Sequence, residues 1–306
     1  MCTSTRQSAL YWIIALALFF VVQTSQAQVT TVFTTNGFES PFTPGSILLQ
    51  QGFVNAPLDL DSGQIQTTTV RTGSQAFQAV GANFAVQGFS GTGANFWYRD
   101  GFSYNPTLSG TPYVQAHFSG LMAPGGIDTI PAAGIYLEGK TAGGTTQGLV
   151  TVMFSSQGQL IASTNAATGG ASQAITTANG QFDSSQWHDL YAEMNFTSQT
   201  YRVYREGETT PIQFQKSTGE FISDIPFRNT FGTTATIYEI GMLAYNFTVS
   251  AGAETAPSGS FYLDNYSVTA SPNAFSPVPE PGLIITTAAI GCGVIRLIRR
   301  RRQTAT

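Results

Sequence analysis

Charged residues, histidine and cysteine are all scarce in this chain of 306 residues. Only 10% of the residues are Asp, Glu, Lys or Arg, whereas about 25% is usual for a soluble domain. So little charge excludes a long coiled coil and is atypical of a cytosolic enzyme or a nucleic-acid-binding protein. Two cysteines exclude a disulfide-rich scaffold. The 32 glycines and 22 phenylalanines that are present indicate instead a β-rich, exported protein.

The N-terminus has the pattern of a secretory signal peptide. Arg6 precedes an apolar run of 14 residues, which is shorter than the roughly 20 residues that a membrane-spanning helix needs. Small residues at Ser25 and Ala27 predict cleavage by signal peptidase between Ala27 and Gln28. An uncleaved signal anchor is the alternative.

The C-terminus combines a proline-rich stop, an apolar run and a basic cluster. Pro279, Glu280 and Pro281 precede the apolar run, and four consecutive arginines begin at Arg299. This order predicts a transmembrane helix over residues 283–298 whose basic end stays in the cytoplasm.

These three parts resemble the PEP-CTERM sorting signal of exported bacterial proteins. The resemblance implies that a membrane-embedded exosortase recognises Pro279, Glu280 and Pro281 and removes the helix. The protein would then be exported, anchored transiently in the inner membrane, and delivered to the cell envelope or the extracellular matrix. A plain tail anchor with a chance Pro-Glu-Pro sequence is the alternative.

The body between the two ends is acidic. Residues 28–278 contain 7 cations and 16 acids, a formal charge of −9, whereas the whole chain carries −4. This charge argues against nucleic acid or anionic lipid as a partner of the body.

Alternation of apolar and polar residues predicts antiparallel strands through most of the body. In residues 113–120, Val114, Ala116 and Phe118 alternate with polar residues, and residues 187–196 repeat the pattern. Residues 149–154 are apolar on both faces, which indicates a central strand. Further strands are predicted over residues 29–34, 74–80, 96–99, 133–138, 160–164, 201–205, 236–245 and 260–269.

Several short segments indicate the type of fold. The segments are 187–191, which begins Trp-His-Asp, 201–207, 261–268 and the Gly-Phe-Glu-Ser-Pro sequence at 37–41. They resemble the concanavalin A-like lectin/glucanase and laminin-G-like sandwiches, in which the first and last strands pair. We therefore expect an all-β, antiparallel jelly-roll β-sandwich, flanked by an N-terminal signal helix and a C-terminal transmembrane helix. The predicted parts are a signal peptide (1–27), a β-sandwich domain (28–270), a linker with the Pro-Glu-Pro motif (271–282), a transmembrane helix (283–298) and a basic cytoplasmic tail (299–306).

Established catalytic patterns are absent from the sequence of the body. It has no Glu-x-Asp-x-x-Glu strand of the retaining glucanases, no His-Glu-x-x-His and no Gly-x-Ser-x-Gly. Glu206 and Glu208 fit a solvated hairpin tip. His117 falls on the polar face of its strand, whereas His188 has the phase of the apolar residues. A zinc site would need acidic ligands beside these two histidines. From these patterns together, no catalytic residue, metal or cofactor is predicted.

Calcium is the cation for which the sequence offers a partial pattern. Asp59 and Asp61 resemble the first half of a calcium loop, but Gln64 and Val70 do not match its sixth and twelfth positions. A plain turn is the simpler interpretation. Asp264-Asn265 could hold a cation or cap a loop.

One aromatic cluster provides a candidate ligand site. Trp97, Tyr98, Arg99 and Asp100 combine rings with polar groups, as sugar binding requires. Trp97 in the core is the alternative, since neighbouring residues of a strand face opposite sides.

Three functions are consistent with these features. The first is a non-enzymatic envelope or matrix protein that binds exopolysaccharide through a lectin-like sandwich. The second is a divergent glycoside hydrolase or lyase, which would need acids brought together from distant strands. The third is a purely structural or adhesive surface protein.

Overall fold

Two antiparallel β-sheets make up the described part of the chain. The structure, a computed structural model, describes residues 28–55, 63–80, 91–122, 132–141, 143–155, 158–165, 172–178, 180–183, 185–229, 231, 235–249 and 260–275. Within these residues there is no α-helix, and two short 3-10 turns occupy Asn36–Phe38 and Gln50–Gly52. The predicted all-β, antiparallel class is therefore confirmed. The predicted flanking helices lie outside the described residues.

Sheet I contains nine of the described strands. They are β1 (Thr30–Thr34), β2 (Gly45–Ser46), β4 (Gly63–Gln66), β5 (Ala76–Val80), β7 (Tyr113–Met122), β12 (His188–Asn195), β13 (Thr200–Arg205), β16 (Ile225–Pro226) and β18 (Ser260–Ser271). Their order is β16-β13-β12-β7-β18-β5-β4-β2, and β1 pairs with β18. The expected pairing of the first and last strands is present, with Thr30 opposite Ala270.

Sheet II contains the other nine described strands. They are β3 (Val54–Asn55), β6 (Gly91–Arg99), β8 (Ala132–Lys140), β9 (Thr146–Ser155), β10 (Leu160–Asn165), β11 (Ser172–Thr176), β14 (Phe214–Gln215), β15 (Phe221–Ile222) and β17 (Thr236–Val249). Their order is β15-β14-β11-β10-β9-β8-β17-β6-β3. Thus β17 lies between β8 and β6, although these strands are far apart in sequence.

The core lies between the two sheets and follows the predicted alternation. On β7, Val114, Ala116 and Phe118 are fully buried, and Leu190 and Met194 are buried in the same way on β12. Burial of the Val, Phe, Leu and Met side chains contributes about 1.5–3 kcal/mol each to folding. The strand predicted to be apolar on both faces is β9, which lies inside sheet II between β8 and β10.

Aromatic contacts join the sheets across the core. The ring of Phe154 on sheet II lies 6.2 Å from that of Phe118 and 6.3 Å from that of Phe261 on sheet I. At the other end, Trp97 contacts Phe77 edge to face at 5.2 Å. The face of each sheet that carries these rings is therefore the inward one.

No helix in the described ranges is long and apolar enough to cross a membrane.

Candidate functional site

The segment predicted to bind a ligand is divided between two faces of sheet II. Trp97 is 1% exposed and packs in the core, and Arg99 lies above the rings of Phe33 and Phe102, 5.9 and 5.6 Å from their centroids. Tyr98 is half-buried on the outer face. Trp97 thus occupies the core position given above as the alternative, whereas Tyr98 lies on the opposite face, because successive side chains of β6 point to opposite faces.

Asp100 follows β6 and is exposed. Its charge acts on Tyr98, whose pKa is raised chiefly by burial and then by Glu239 and Asp100. Of the four predicted residues, Tyr98 and Asp100 therefore share the electrostatic environment of the outer face.

Gly241 forms the floor of this outer face. It lies in β17 directly opposite Tyr98 of β6 on one side and Tyr136 of β8 on the other. A Cβ atom at Gly241 would be 2.7 Å from both Cε1 of Tyr136 and Cβ of Tyr98. The absence of a side chain at Gly241 therefore leaves space on this face of β17 for the side chains of Tyr136 and Tyr98.

Glu138 and Glu239 are cross-strand partners beside the tyrosines. They are opposite each other on β8 and β17, next to a register shift between Ile237 and Glu239. The shift places Tyr238 and Glu239 together at half-buried positions, whereas Ile237 and Ile240 are fully buried. A β-bulge commonly redirects side chains in this way.

Burial keeps the two carboxyl groups from ionising readily, and repulsion by neighbouring acids adds to this effect at Glu239. The pKa of Glu239 is raised to about 7, chiefly by burial and further by the charges of Glu138 and Asp100. The Tyr136 hydroxyl donates a 2.5 Å hydrogen bond to Glu239, which opposes that rise. Burial also raises the pKa of Glu138, and the positive charge of Arg228 opposes it. The two neighbouring carboxyl groups therefore have different surroundings: Arg228 acts on Glu138, whereas Tyr136 and Asp100 act on Glu239.

A cavity of about 180 Å³ opens next to Glu138. Its lining residues are Phe96, Tyr136, Leu137, Glu138, Gly148, Thr151, Arg228 and Leu243. Two aromatic rings thus lie beside an acid, a guanidinium and a hydroxyl in one cavity. The rings of Phe96 and Tyr136 contact each other edge to face at 5.3 Å.

The side chain of Arg228 passes over Gly148 and lines the cavity. Its backbone N–H donates to the carbonyl of Leu149, and a Cβ at Gly148 would lie 2.6 Å from the Arg228 Cδ. Among the described residues, neither the Arg228 guanidinium nor the Glu138 carboxylate forms a hydrogen bond or an ion pair within 4.0 Å. Both groups are available to a ligand.

Tyr98 and Tyr238 lie near Glu239 in sheet II. Tyr98 is close enough for its pKa to respond to Glu239 and to Tyr238. The Lys140 ammonium lies 3.4 Å from the centroid of the Tyr238 ring. We call the cavity, the two glutamates and these two tyrosines the outer site.

The outer face of sheet I carries a separate ionic network. Asp189 pairs with Arg71 at 2.7 Å and accepts a hydrogen bond from Ser119. Glu206 at the predicted hairpin tip is half-exposed but lies 4.0 Å from Arg71, and its pKa is raised chiefly by its contact with Asp189. Glu208 lies 3.6 Å from Arg205.

The two histidines are both packed against rings. His117, on the outer face as its phase predicts, stacks on Tyr191 at 4.4 Å, and burial lowers its pKa. His188 contacts Phe154 and Phe182. Within the described residues, no cluster of three or more His, Cys, Asp or Glu side chains could hold a metal.

Asp264 caps a loop. Its Oδ2 accepts hydrogen bonds from the backbone N–H groups of Arg71 and Thr72, at 3.1 and 3.0 Å. The other partial calcium pattern, at Asp59 and Asp61, lies outside the described residues.

The predicted processing residues are also mostly outside the described ranges. Ala27, Pro279, Glu280 and Pro281 are not described, whereas Gln28 is the first described residue.

Sequence patterns alone do not single out Tyr136, Glu138, Arg228 or Glu239. Alternation on β8 places Tyr136 and Glu138 on one face, but it does not show which strand pairs with β8. The register that brings Glu239 to Glu138 is a tertiary property.

No protein-family profile matches the chain, and no curated protein sequence matches it. Solved structures similar to it include a marine PL-14 alginate lyase from Aplysia kurodai, with 14% identity over 78% of this chain and 98% of that chain and a TM-score of 0.47. An endo-β-1,4-glucuronan lyase from the fungus Trichoderma reesei has 9% identity over 82% of this chain and 98% of that chain, with a TM-score of 0.45. A sialidase matches with 10% identity and a TM-score of 0.42 over 78% of this chain, which spans 18% of the sialidase. These identities are too low to transfer residue roles.

Proposed function

We propose that the protein binds a neutral polysaccharide at the outer site of sheet II. The observation that carries this proposal is the cavity in which Glu138 and Arg228 lie beside the rings of Phe96 and Tyr136. A sugar ring offers apolar faces to aromatic side chains and hydroxyl groups to charged donors and acceptors. The cavity supplies both types of contact, through the rings of Phe96 and Tyr136 and the charged groups of Glu138 and Arg228.

The charge distribution favours a neutral polymer over a polyuronate. The body carries a formal charge of −9, and two glutamates and Asp100 contribute to the outer site. An anionic chain would approach against this field, with Arg228 as the one cation lining the described cavity.

A polysaccharide array tests this proposal. The full chain, kept in detergent because of its apolar ends, is applied to soluble β-glucan, xylan, mannan, galactan, dextran and polyuronates. We expect retention on at least one neutral polymer and loss of retention with Arg228→Met. Arg202→Met, which removes an exposed cation from sheet I, is the matched control. Retention on none of the neutral polymers contradicts the proposal and favours a structural or adhesive protein.

We further propose that the protein is exported and sorted by its C-terminal signal. The order of the Pro-Glu-Pro motif, apolar run and arginine cluster supports this, as does the signal-peptide pattern before Gln28. Replacing Pro279, Glu280 and Pro281 by Ala in the native host should leave the C-terminal helix attached to the protein. Unchanged C-terminal processing of the triple variant would exclude recognition of this motif.

A further inference from the structure

We propose that the cavity of the outer site binds the acetamido group of an N-acetylated amino sugar. This inference rests on the proposed binding function and deepens it, because it names the substituent that the neutral polysaccharide presents to the cavity. An acetamido group combines one carbonyl acceptor, one N–H donor and one methyl group. The residues that line the cavity include a partner for each of the three.

A charged donor and a charged acceptor lie side by side in the cavity. Gly148 on β9 is directly opposite Glu138 on β8. The Arg228 side chain passes over this glycine, because a Cβ at Gly148 would lie 3.3 Å from both Nε and Nη1 of the guanidinium. A guanidinium only donates hydrogen bonds, whereas a carboxylate accepts them. A carbonyl oxygen therefore fits Arg228, and an N–H group fits Glu138.

The apolar part of the cavity begins two residues along the same strand. Tyr136 lies on the same face of β8 as Glu138, at a distance of about 6.6–6.8 Å along the strand. Further in that direction, Leu243 on β17 is directly opposite Phe96 on β6, and the Phe96 ring contacts the Tyr136 ring at 5.3 Å. Tyr136 and Leu243 are nearly fully buried and belong to a hydrophobic cluster separate from the main core. A methyl group beside the charged pair therefore contacts apolar side chains.

The free hydrogen-bonding capacity of the charged pair favours an acetamido group over a hydroxyl group. In the part of the chain that the structure describes, neither the Arg228 guanidinium nor the Glu138 carboxylate has a hydrogen bond or an ion pair within 4.0 Å. A hydroxyl group satisfies such groups, but it brings no methyl group to the Tyr136 ring. The acetamido group makes both polar contacts and buries apolar surface as well.

Pairs of ligands that differ at this substituent test the proposal. The full chain in detergent is titrated with the β-1,4-linked hexamers of N-acetylglucosamine and of glucose. The free sugars N-acetylglucosamine and glucose, and N-acetylgalactosamine and galactose, form two further pairs. We expect an N-acetylated ligand to bind about 4- to 10-fold more tightly than its hydroxyl partner, the range that burial of a methyl group and a stronger hydrogen bond supply.

Saturation-transfer NMR locates the methyl group in the complex. Irradiation of the aromatic protons of the protein should saturate the acetyl methyl protons of the bound sugar most strongly, because the methyl group contacts the rings of Tyr136 and Phe96. Stronger saturation of the sugar-ring protons than of the methyl protons would contradict this placement.

One variant removes the acceptor for the N–H group. Glu138→Met should lower the affinity for the N-acetylated member of a pair more than for the hydroxyl member, so that the two affinities become nearly equal. The reason is that a hydroxyl group can rotate its proton toward another acceptor, whereas the N–H of a planar amide has a fixed direction. Glu193→Met, which changes a half-buried acid on sheet I, is the matched control and should keep the wild-type preference. The wild-type pairs test the proposal even where a variant does not fold.

The outcomes separate this inference from the binding function. Equal or weaker binding of the N-acetylated member in every pair, by a protein that still retains a neutral polymer of the array, would overturn the acetamido site and leave the binding function intact. Failure of every polymer and every sugar to bind would instead count against the binding function.

Discussion

The hydroxyl of Tyr136 donates a 2.5 Å hydrogen bond to Oε1 of Glu239, 103 positions later in the sequence. The bond spans neighbouring strands of sheet II and ends on the carboxyl group with the pKa of about 7. Tyr136 therefore orients Glu239 and keeps its pKa lower than burial alone would set it.

Tyr136→Phe should raise the pKa of Glu239 above 7. The hydrogen bond favours the ionised carboxylate, so its removal favours the protonated one. NMR titration of the carboxyl carbon of Glu239 measures the change. Tyr104→Phe, which removes a hydroxyl bonded to Thr111 elsewhere, should leave this titration unchanged. A pKa that stays constant or falls in Tyr136→Phe would contradict this role of the bond.

Glu239 should make the fold less stable as pH rises from about 4.5 to about 7. Its pKa is higher in the folded protein than the ordinary 4.5, so the folded state binds more protons in this range. The associated stability is present below the lower value and is lost through the higher one. After allowance for solvent screening, we expect the loss to be about 1–2 kcal/mol.

Urea unfolding at pH 4.5 and pH 8 measures this dependence. Wild type should lose stability relative to Glu239→Gln as pH rises, because the Gln variant cannot ionise at this position. An equal change in both proteins would show that Glu239 does not contribute.

Gly241→Ala should destabilise the protein by about 1–3 kcal/mol, as overpacking of a filled site does. The added Cβ would lie 2.7 Å from Tyr136 and Tyr98 and 2.8 Å from the backbone oxygen of Trp97. Gly143→Ala is the matched control, because its nearest atom would be 3.8 Å away. Equal urea midpoints for the two variants would contradict the close packing over Gly241.

Tyr98 and Trp97 should respond differently to truncation. Trp97→Ala should cost about 3–5 kcal/mol of stability, because it empties a core site. Tyr98→Ala should cost less stability than Trp97→Ala, because Tyr98 is only half-buried, and it should lower polysaccharide affinity roughly 2- to 10-fold, the range expected for one aromatic contact. Calorimetric titration and urea unfolding of both variants test this. Loss of affinity without loss of stability in Trp97→Ala would reverse the assignment.

Local patterns predicted the strands well because side-chain alternation is a local property. The inward phase of Val114 and Phe118 on β7 is visible in the sequence, and both are buried as expected. The same rule limited the prediction for β6, since alternation requires Trp97 and Tyr98 to face opposite sides without saying which side is the core.

The outer site depended on contacts that local patterns do not contain. Glu138 and Glu239 meet because β17 pairs with β8, and the register shift after Ile237 sets which residues are opposed. Arg228 lines the cavity because its backbone N–H donates to the carbonyl of Leu149 and because Gly148 has no side chain in its way. The two-residue strands, such as β2 and β14, were not predicted because two residues show no periodicity.

A crystal structure of the protein with an oligosaccharide of the retained neutral polymer tests whether the outer site binds sugar. We expect one sugar ring in the cavity of about 180 Å³, with hydroxyl groups within hydrogen-bond distance of Glu138 and Arg228. An oligosaccharide bound elsewhere, for example beside Tyr191 on sheet I, with the cavity unfilled would contradict it.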